Sequence, residues 1–319
     1  MPAVSQQSPP RLSVLMPVRN GGAYLEEAVE SIRRQAFGDF EFIVVDDGST
    51  DGTAALLRRH AADDGRIRVL AATGTGIVDA LNQALAAARG DLLARMDADD
   101  ISEPERLARQ VAQMDARPEL VLLGSGATQI DARGRAVGTV RPETDPARLV
   151  ELLRKRSPFL HPTVVMRRGA VEAAGGYRRP FALAEDYDLW IRLAREGVVA
   201  NLPDALLRLR RHRNQSSRRH RLEQRAVHSL AHALAFGPRV DMPRLETFAT
   251  SLDAMAAYLA APGSLGPGLS RRDVEIMLRW CAAAGALSRE RRREIVAALH
   301  GGTSTLASLL LRLRLRLKP

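Results

Sequence analysis

Five short apolar runs in the first 125 residues of this 319-residue chain alternate with stretches of helical periodicity. "RLSVLMPV" (Arg11 to Val18), "FEFIVV" (Phe40 to Val45), "RIRVL" (Arg66 to Leu70), "DLLARM" (Asp91 to Met96) and "LVLLGS" (Leu120 to Ser125) read as buried strands. Between them the pattern predicts helices running to about Ala36, through Leu56 and Leu57 with Asp51 as a cap, and from about Ile77 to Ala88. Runs that are apolar on both alternating faces belong to strands covered on both sides, and a helix between successive strands makes them parallel. Crossovers of this kind are right-handed, so few arrangements remain. The chain is expected to be α/β, with a doubly wound, mostly parallel sheet.

In such a sheet, ligands sit outside the carboxyl ends of the strands. Two acidic groups fall there: Asp46 and Asp47 after the second strand, and Asp97, Asp99 and Asp100 after the fourth. Carboxylates this close repel unless a positive partner joins them. A D-x-D at a strand end suits a hard divalent cation, Mn²⁺ or Mg²⁺, that also takes phosphate oxygens. The plainer reading is a solvated acidic turn. An EF-hand is excluded, because its fifth, sixth and twelfth positions would be Ile101, Ser102 and Ala108. "GTGIVD" (Gly74 to Asp79) lacks the third glycine of a dinucleotide fingerprint, "VRNGGAYL" after the first strand lacks the pattern too, and no phosphate-binding P-loop occurs.

The rhythm changes after Ala127. "IDARGRAVGTV" looks like a hairpin turning at Ala132-Arg133-Gly134. "HPTVVMRR" (His161 to Arg168) looks like a strand, "AEDYDLWIRLAREG" (Ala184 to Gly197) like a helix, and "ALLRLRRHRNQSSRRH" (Ala205 to His220) like a strand entering a basic loop. Beyond about Arg221 the chain reads as Ala- and Leu-rich helices, broken at Gly237-Pro238 and in "APGSLGPG". The expected organisation is a flexible N-terminus over 1–10, a catalytic domain over 11–225 and a helical region over 226–319. The net charge of +10 favours anionic partners without choosing among them. The basic loop has no aromatic residues for base stacking, so no nucleic acid is expected. Cys281 is the only cysteine, which fits a reducing compartment. "MPAVSQQSPP" lacks a leader's apolar core, and no run is long enough to span a bilayer, so a cytoplasmic protein is expected. Leucine and arginine alternate from Leu311 to Lys318 within "LASLLLRLRLRLKP". That pattern suits peripheral contact with an anionic membrane face, and equally a terminal helix packed on its own domain.

Taken in order, the first strand and its turn, "VVDDGSTDGT", "LLARMDADDISEPERLARQ", "LHPTVVMRR" and "GGYRRPFALAEDYDLWIRLA" resemble the family 2 glycosyltransferases of the GT-A fold, over about residues 11–220. The resemblance implies an inverting transferase that moves a sugar from a nucleotide-diphosphate donor to an acceptor hydroxyl with the help of Mn²⁺ or Mg²⁺. It implies that Pro17, Val18 and Arg19 border the base, that Asp47 bonds the base with Asp46 in support, and that Asp97 lies near ribose and metal. Asp99 becomes the principal metal ligand, with Asp100 alongside and His212 near metal and diphosphate; Asp186 becomes the catalytic base, with Glu185 and His161 on the acceptor or diphosphate side. Each has a plainer reading: Asp46, Asp51 and Asp186 as helix caps, His161 as a hydrogen-bonded structural residue, His212 as basic surface. The Q-x-x-R-W motif of processive synthases is broken by Ile276 before Arg279-Trp280, so transfer of one sugar is expected. Leu81 stands where many relatives carry a basic residue before the asparagine equivalent to Asn82. The implied donor is a UDP-sugar and the implied acceptor a saccharide or lipid-linked saccharide of bacterial surface polysaccharide synthesis. The alternative, a sugar-1-phosphate nucleotidyltransferase, calls for a Gly-rich basic loop after the first strand, where only Arg19 is basic.

Overall fold

The computed structural model describes residues 8–213, 215, 220–237, 239, 241, 243, 248, 250–261, 271–283, 286–288, 290 and 295. The terminal Leu/Arg alternation and most of residues 1–10 lie outside these. Among the described residues, no helix is long and apolar enough to cross a membrane.

Strands β1 (Leu12–Val18), β2 (Phe40–Asp46), β3 (Ile67–Ala71) and β4 (Leu92–Arg95) form a parallel quartet in the order β3-β2-β1-β4. Helices α1 (Leu25–Arg33), α2 (Thr53–Asp63) and α3 (Ile77–Ala87) make the crossovers. The quartet forms for the reason its sequence suggests. Leu12, Val14 and Met16 on one face of β1 and Leu15 on the other are all buried. On α1, Leu25, Ala28, Val29 and Ile32 make one inward stripe at helical spacing.

The second half of the sheet is mixed. It contains β5 (Ile101–Ser102), β6 (Leu120–Asp131), β7 (Ala136–Val140), β8 (Val165–Arg167) and β9 (Val198–Arg211), with α4 (Arg106–Ala116), α5 (Pro146–Leu153), α6 (Arg168–Ala173) and α7 (Glu185–Glu196) between them. The path continues β4-β8-β6-β9-β5, with β7 on β6 as the expected hairpin. β8 runs antiparallel to both β4 and β6, β5 is antiparallel to β9, and β6 with β9 is parallel. A run such as "TVVM" carries no mark of strand direction, which is why these reversals were not readable beforehand.

Two compact units result. One comprises the described residues up to 153 with 157–177 and 192–213, and holds the whole sheet. The other comprises 154–156, 178–191 and the described residues from 215 on, including α8 (Arg221–Phe236), α9 (Ser251–Ala260) and α10 (Arg271–Ala283). The helical unit thus takes in residues 178–191 from within the span 11–225.

The amino ends of the quartet are locked around one buried carboxylate. Glu41 accepts from the Ser13 hydroxyl at 2.7 Å, from the Arg89 amide at 2.7 Å, and from the Arg68 and Arg89 guanidinium groups at 2.6 and 3.0 Å. Burial pushes its pKa up, but these donors win and hold it below the ordinary carboxylate range. Beside it Gly90 passes so close to β1 that an added Cβ would lie 2.6 Å from the Leu12 carbonyl carbon and 2.7 Å from the Ser13 nitrogen. Both are backbone atoms and cannot step aside. Gly90→Ala should therefore destabilise the chain by about 1–3 kcal/mol, the usual cost of overpacking a rigid contact; denaturant unfolding with an unchanged m-value checks it.

Candidate active site

The loops after β1 and β2 are zipped together. Asn20 turns the chain at φ 53°, a left-handed conformation that asparagine tolerates. Its side-chain oxygen accepts from the Thr50 amide at 2.8 Å, and its own amide donates to the Ser49 hydroxyl at 2.8 Å. Gly21 donates to the Thr53 hydroxyl at 2.9 Å, and Asp51 accepts from Gly22 and Thr53. Asp46 accepts from the Ser49 amide at 3.0 Å. Asp46 and Asp51 are thus at work as turn residues, and the N-cap of α2 is Gly52 rather than the expected Asp51. Asp47, only 4% exposed, accepts from the amides of Thr75 and Gly76 at 2.9 and 3.0 Å and so draws in the loop after β3. Arg19 is exposed and lies against that same loop at Gly74, while Pro17 is half-buried and Val18 buried. Pro17, Arg19, Asp46 and Asp47 therefore share one rim at the carboxyl ends of β1 and β2. Each carboxylate oxygen keeps a second lone-pair direction for a ligand donor.

Next to this lies the acidic cluster. Asp97, Asp99 and Asp100 each offer an oxygen, all within 4.8 Å of one another. Their nearest partners are protein groups. The buried Arg95 guanidinium pairs with Asp97. His212 Nε2 lies 2.8 Å from Asp99 Oδ2. Arg210 on β9, its side chain 2% exposed, donates its amide to Asp100 Oδ1 at 2.8 Å and its Nε to the Asp99 carbonyl at 2.9 Å. The same guanidinium pairs with Glu27 and sits 4.5 Å over the Tyr24 ring, which in turn is tilted against His212.

These partners do not neutralise the cluster. Asp100 is 1% exposed, and its Oδ2 has no hydrogen-bond partner among the described residues. Burial first, then Asp97 and Asp99, push its pKa well above the ordinary range. Asp99 is raised by burial and by Asp97, with His212 pulling back. A buried, unsatisfied oxygen in a set of hard oxygen donors fits a divalent cation held by Asp97, Asp99 and Asp100. His212 stands beside that set and offers a nitrogen.

The turn bearing the cluster is braced from below by two residues of "PERLARQ". Arg106, fully buried, donates to the Arg95 carbonyl at 2.7 Å and to Gln110 at 3.1 Å. Burial and the neighbouring Arg95 draw its pKa down to about 9, against the pull of Asp100. Gln110 donates to the carbonyls of Leu123 and Thr163. Arg106 and Gln110 had a readable signal, polar residues four apart on the inward face of an amphipathic helix. Arg95 and Arg210 had none, because arginine is everywhere in this chain.

His161 stands with its Nε2 3.1 Å from the Tyr177 hydroxyl. Burial, with Arg95 nearby, pushes its imidazole well below the usual range, so it is neutral at neutral pH. Asn82 is a structural clasp, its side chain bonding both the amide and the carbonyl of Tyr177, at 3.0 and 2.8 Å.

The acids of α7 differ from one another. Asp188 is buried and doubly bonded by Arg178. Glu185 is buried. Asp186 is half-buried and accepts from the Tyr187 amide at 2.7 Å. Of the three, Asp186 is the one most open to a ligand.

Comparison with known proteins agrees with this geometry. The family model described as Glycosyl transferase family 2 matches residues 13–174. The putative glycosyltransferase EpsE of Bacillus subtilis is 35% identical over 218 residues, 66% of this chain and 77% of that one. The amylovoran biosynthesis glycosyltransferase AmsE of Erwinia amylovora is 34% identical over 188 residues, 58% of this chain and 70% of that one. Residues 1–349 of S. aureus TarS, crystallised with UDP-GlcNAc, superpose with a TM-score of 0.57 at 16% identity, covering 92% of this chain and 93% of that one. The last likeness establishes the α/β GT-A fold.

The raised carboxyls set a pH dependence. In chelator, native Asp100 takes its proton at higher pH than it does unfolded, near 3.8. The native state then binds more protons, so its stability should rise as pH falls from 7 through the native pKa and level off below the unfolded one. Asp100→Asn, which keeps an acceptor for Arg210, should flatten that slope. Thermal melts in EDTA and in Mn²⁺ check it: Mn²⁺ should stabilise the native protein at pH 7 and leave the variant almost unmoved.

Proposed function

Because this chain belongs to glycosyl transferase family 2, we propose that it is a metal-dependent, inverting enzyme that transfers one sugar from a UDP-sugar to an acceptor hydroxyl. The observation that carries the reading is the partly buried acidic cluster at the end of β4, with the Asp100 oxygen left over. The acceptor is a saccharide or lipid-linked saccharide, and the product a bacterial surface polysaccharide or glycoconjugate. AmsE, named for amylovoran biosynthesis, supports that class of product, and the fold shared with TarS, crystallised with UDP-GlcNAc, supports a UDP donor. The expected working place is the cytoplasmic face of a membrane, reached through the Leu/Arg alternation of 311–318.

The chain's own groups have separable roles. Asp47, on the rim with Pro17, Val18 and Arg19, bonds the base, and Asp46 keeps the turn that presents it. Asp97, Asp99 and Asp100 would hold the divalent ion, with His212 beside Asp99. When bound, that ion supplies Lewis-acid neutralisation of the departing diphosphate. Arg95 and Arg210 hold the carboxylates in place before any ligand arrives, so little reorganisation is left for the reaction itself. The acceptor oxygen bonds to the anomeric carbon as the bond from that carbon to the diphosphate oxygen breaks. The electron pair of the broken bond leaves with the nucleoside diphosphate, and the hydroxyl proton passes to an oxygen of Asp186. One displacement inverts the anomeric centre and needs no enzyme nucleophile. Asp186 suits the role of base because Glu185 is buried and Asp188 is committed to Arg178.

The test pairs two variants against a panel of UDP-, GDP-, dTDP- and CMP-sugars, with release of the nucleotide as readout. Asp186→Asn should lose roughly a hundredfold to ten-thousandfold in kcat, while calorimetric binding of UDP with Mn²⁺ is kept. Asp99→Ala should lose both turnover and the Mn²⁺ dependence of UDP binding. Near-normal turnover by Asp186→Asn would assign the base elsewhere, and full activity of the native chain in excess EDTA would remove the metal.

A further inference from the structure

The segment that carries Asp186 belongs to the helical unit. Tyr187, the next residue, is wholly buried, and its ring lies flat on His228 of α8, with centroids 3.7 Å apart and planes 5° from parallel. α8 is tied to α10 one residue further on: the Ser229 hydroxyl donates to Asp273 at 2.9 Å, and His232 Nδ1 stands 3.6 Å from the other Asp273 oxygen. On the far side of Asp186, Arg178 grips Asp188 and lies 4.7 Å over the Phe181 ring. The single turn Arg179–Phe181 packs against α8 and α9. Between that turn and α7 the chain passes through Leu183 at φ 79°. A branched, bulky residue stays in that region only where its surroundings over-determine it. The matched family region ends at residue 174, before any of these groups.

We propose that α8 and α10 are the positioning scaffold of Asp186, and that His228 is the positioning residue, acting through the Tyr187 ring. The inference rests on Asp186 being the base. An aspartate carboxylate stands only two torsions from its backbone, so its place is set by the backbone at 185–188. That backbone is fixed on one side by the Tyr187–His228 stack and on the other by the Asp188–Arg178 pair. His228 needs to touch no substrate to matter: a shift of about 1 Å in a reacting group can cost about a hundredfold in rate. The C-terminal helices are on this view part of the catalytic apparatus.

The experiment uses the full chain and the donor that the panel selects. His228→Ala should lower kcat by about tenfold to a hundredfold, with the donor KM and calorimetric binding of UDP and Mn²⁺ unchanged. His228→Phe, which restores a flat ring to stack on Tyr187, should recover turnover to within a few-fold of the native chain. Hydrogen exchange across 183–191 should quicken in the alanine variant and return in the phenylalanine one, a readout that needs no donor. If His228→Ala fails to fold, Asp273→Ala, which removes the acceptor for Ser229 and so loosens α8 from α10, should give the same split. Native turnover and native exchange in His228→Ala would overturn the proposal. So would a joint loss of UDP binding and kcat without rescue by phenylalanine, which is a general structural defect. Native turnover in Asp186→Asn would instead remove the base from Asp186, and the exchange data would still say whether His228 holds the turn.

Discussion

Three carboxylates at the end of one buried strand are costly to hold together, and much of the sheet is arranged around that cost. Asp97, Asp99 and Asp100 repel one another in a setting that water screens poorly. Arg95 answers from within β4 itself, and Arg106 braces the turn beneath. Arg210 and His212 must come from far along the chain, which gives a reason for the length of β9. Its fourteen residues run the full length of β6, with the two-residue β5 on the other edge, and that brings both side chains back to the β4 rim. Arg210 then reaches outward to Glu27 and Tyr24, so the helix after β1 and the acidic turn after β4 share one buried cation.

Two buried carboxylates in the same sheet make a useful contrast. Glu41 at the amino rim and Asp100 at the carboxyl rim are nearly equally hidden from water. Glu41 receives bonds from a hydroxyl, an amide and two guanidinium groups, and its pKa falls. Asp100 receives one amide on one oxygen, faces two other acids, and its pKa rises. The first is a finished structural joint. The second is left incomplete by the protein, the condition expected of a group waiting for a ligand. Burial alone would not have told them apart; the count of donors does.

Much of this could be read from the residues, and the limits have physical causes. The parallel quartet and its acidic rim were legible because continuous apolar runs and strand-end aspartates are local signals. Strand direction at β8 was not, since pairing sense depends on where distant segments meet. The two residues of β5 carry no periodicity at all. Arg95 and Arg210 were invisible among 47 basic residues, although they are the counter-charges the acidic cluster required. Asp46 and Asp51 do the turning work that their residue types favour anywhere. Asn20 and Asn82 look like ordinary turn and helix residues in sequence, yet each fastens backbone some thirty or more positions away. The grouping of residues 178–191 with the late helices was beyond reach for the same reason: the Tyr187–His228 stack is a tertiary contact with no local trace.

That grouping also orders events during synthesis. The strands of the parallel quartet are all made before residue 96, and chains fold from the N-terminus as they emerge, at roughly 5–20 residues per second. Tyr187 emerges about ninety residues ahead of Asp273, the residue that ties α8 to α10. For roughly 4–17 s of translation, the ribosome therefore carries a chain whose parallel quartet can already be paired while residues 178–191 still lack the helices that grip them. The parallel quartet is thus built early and the anchorage of residues 178–191 late.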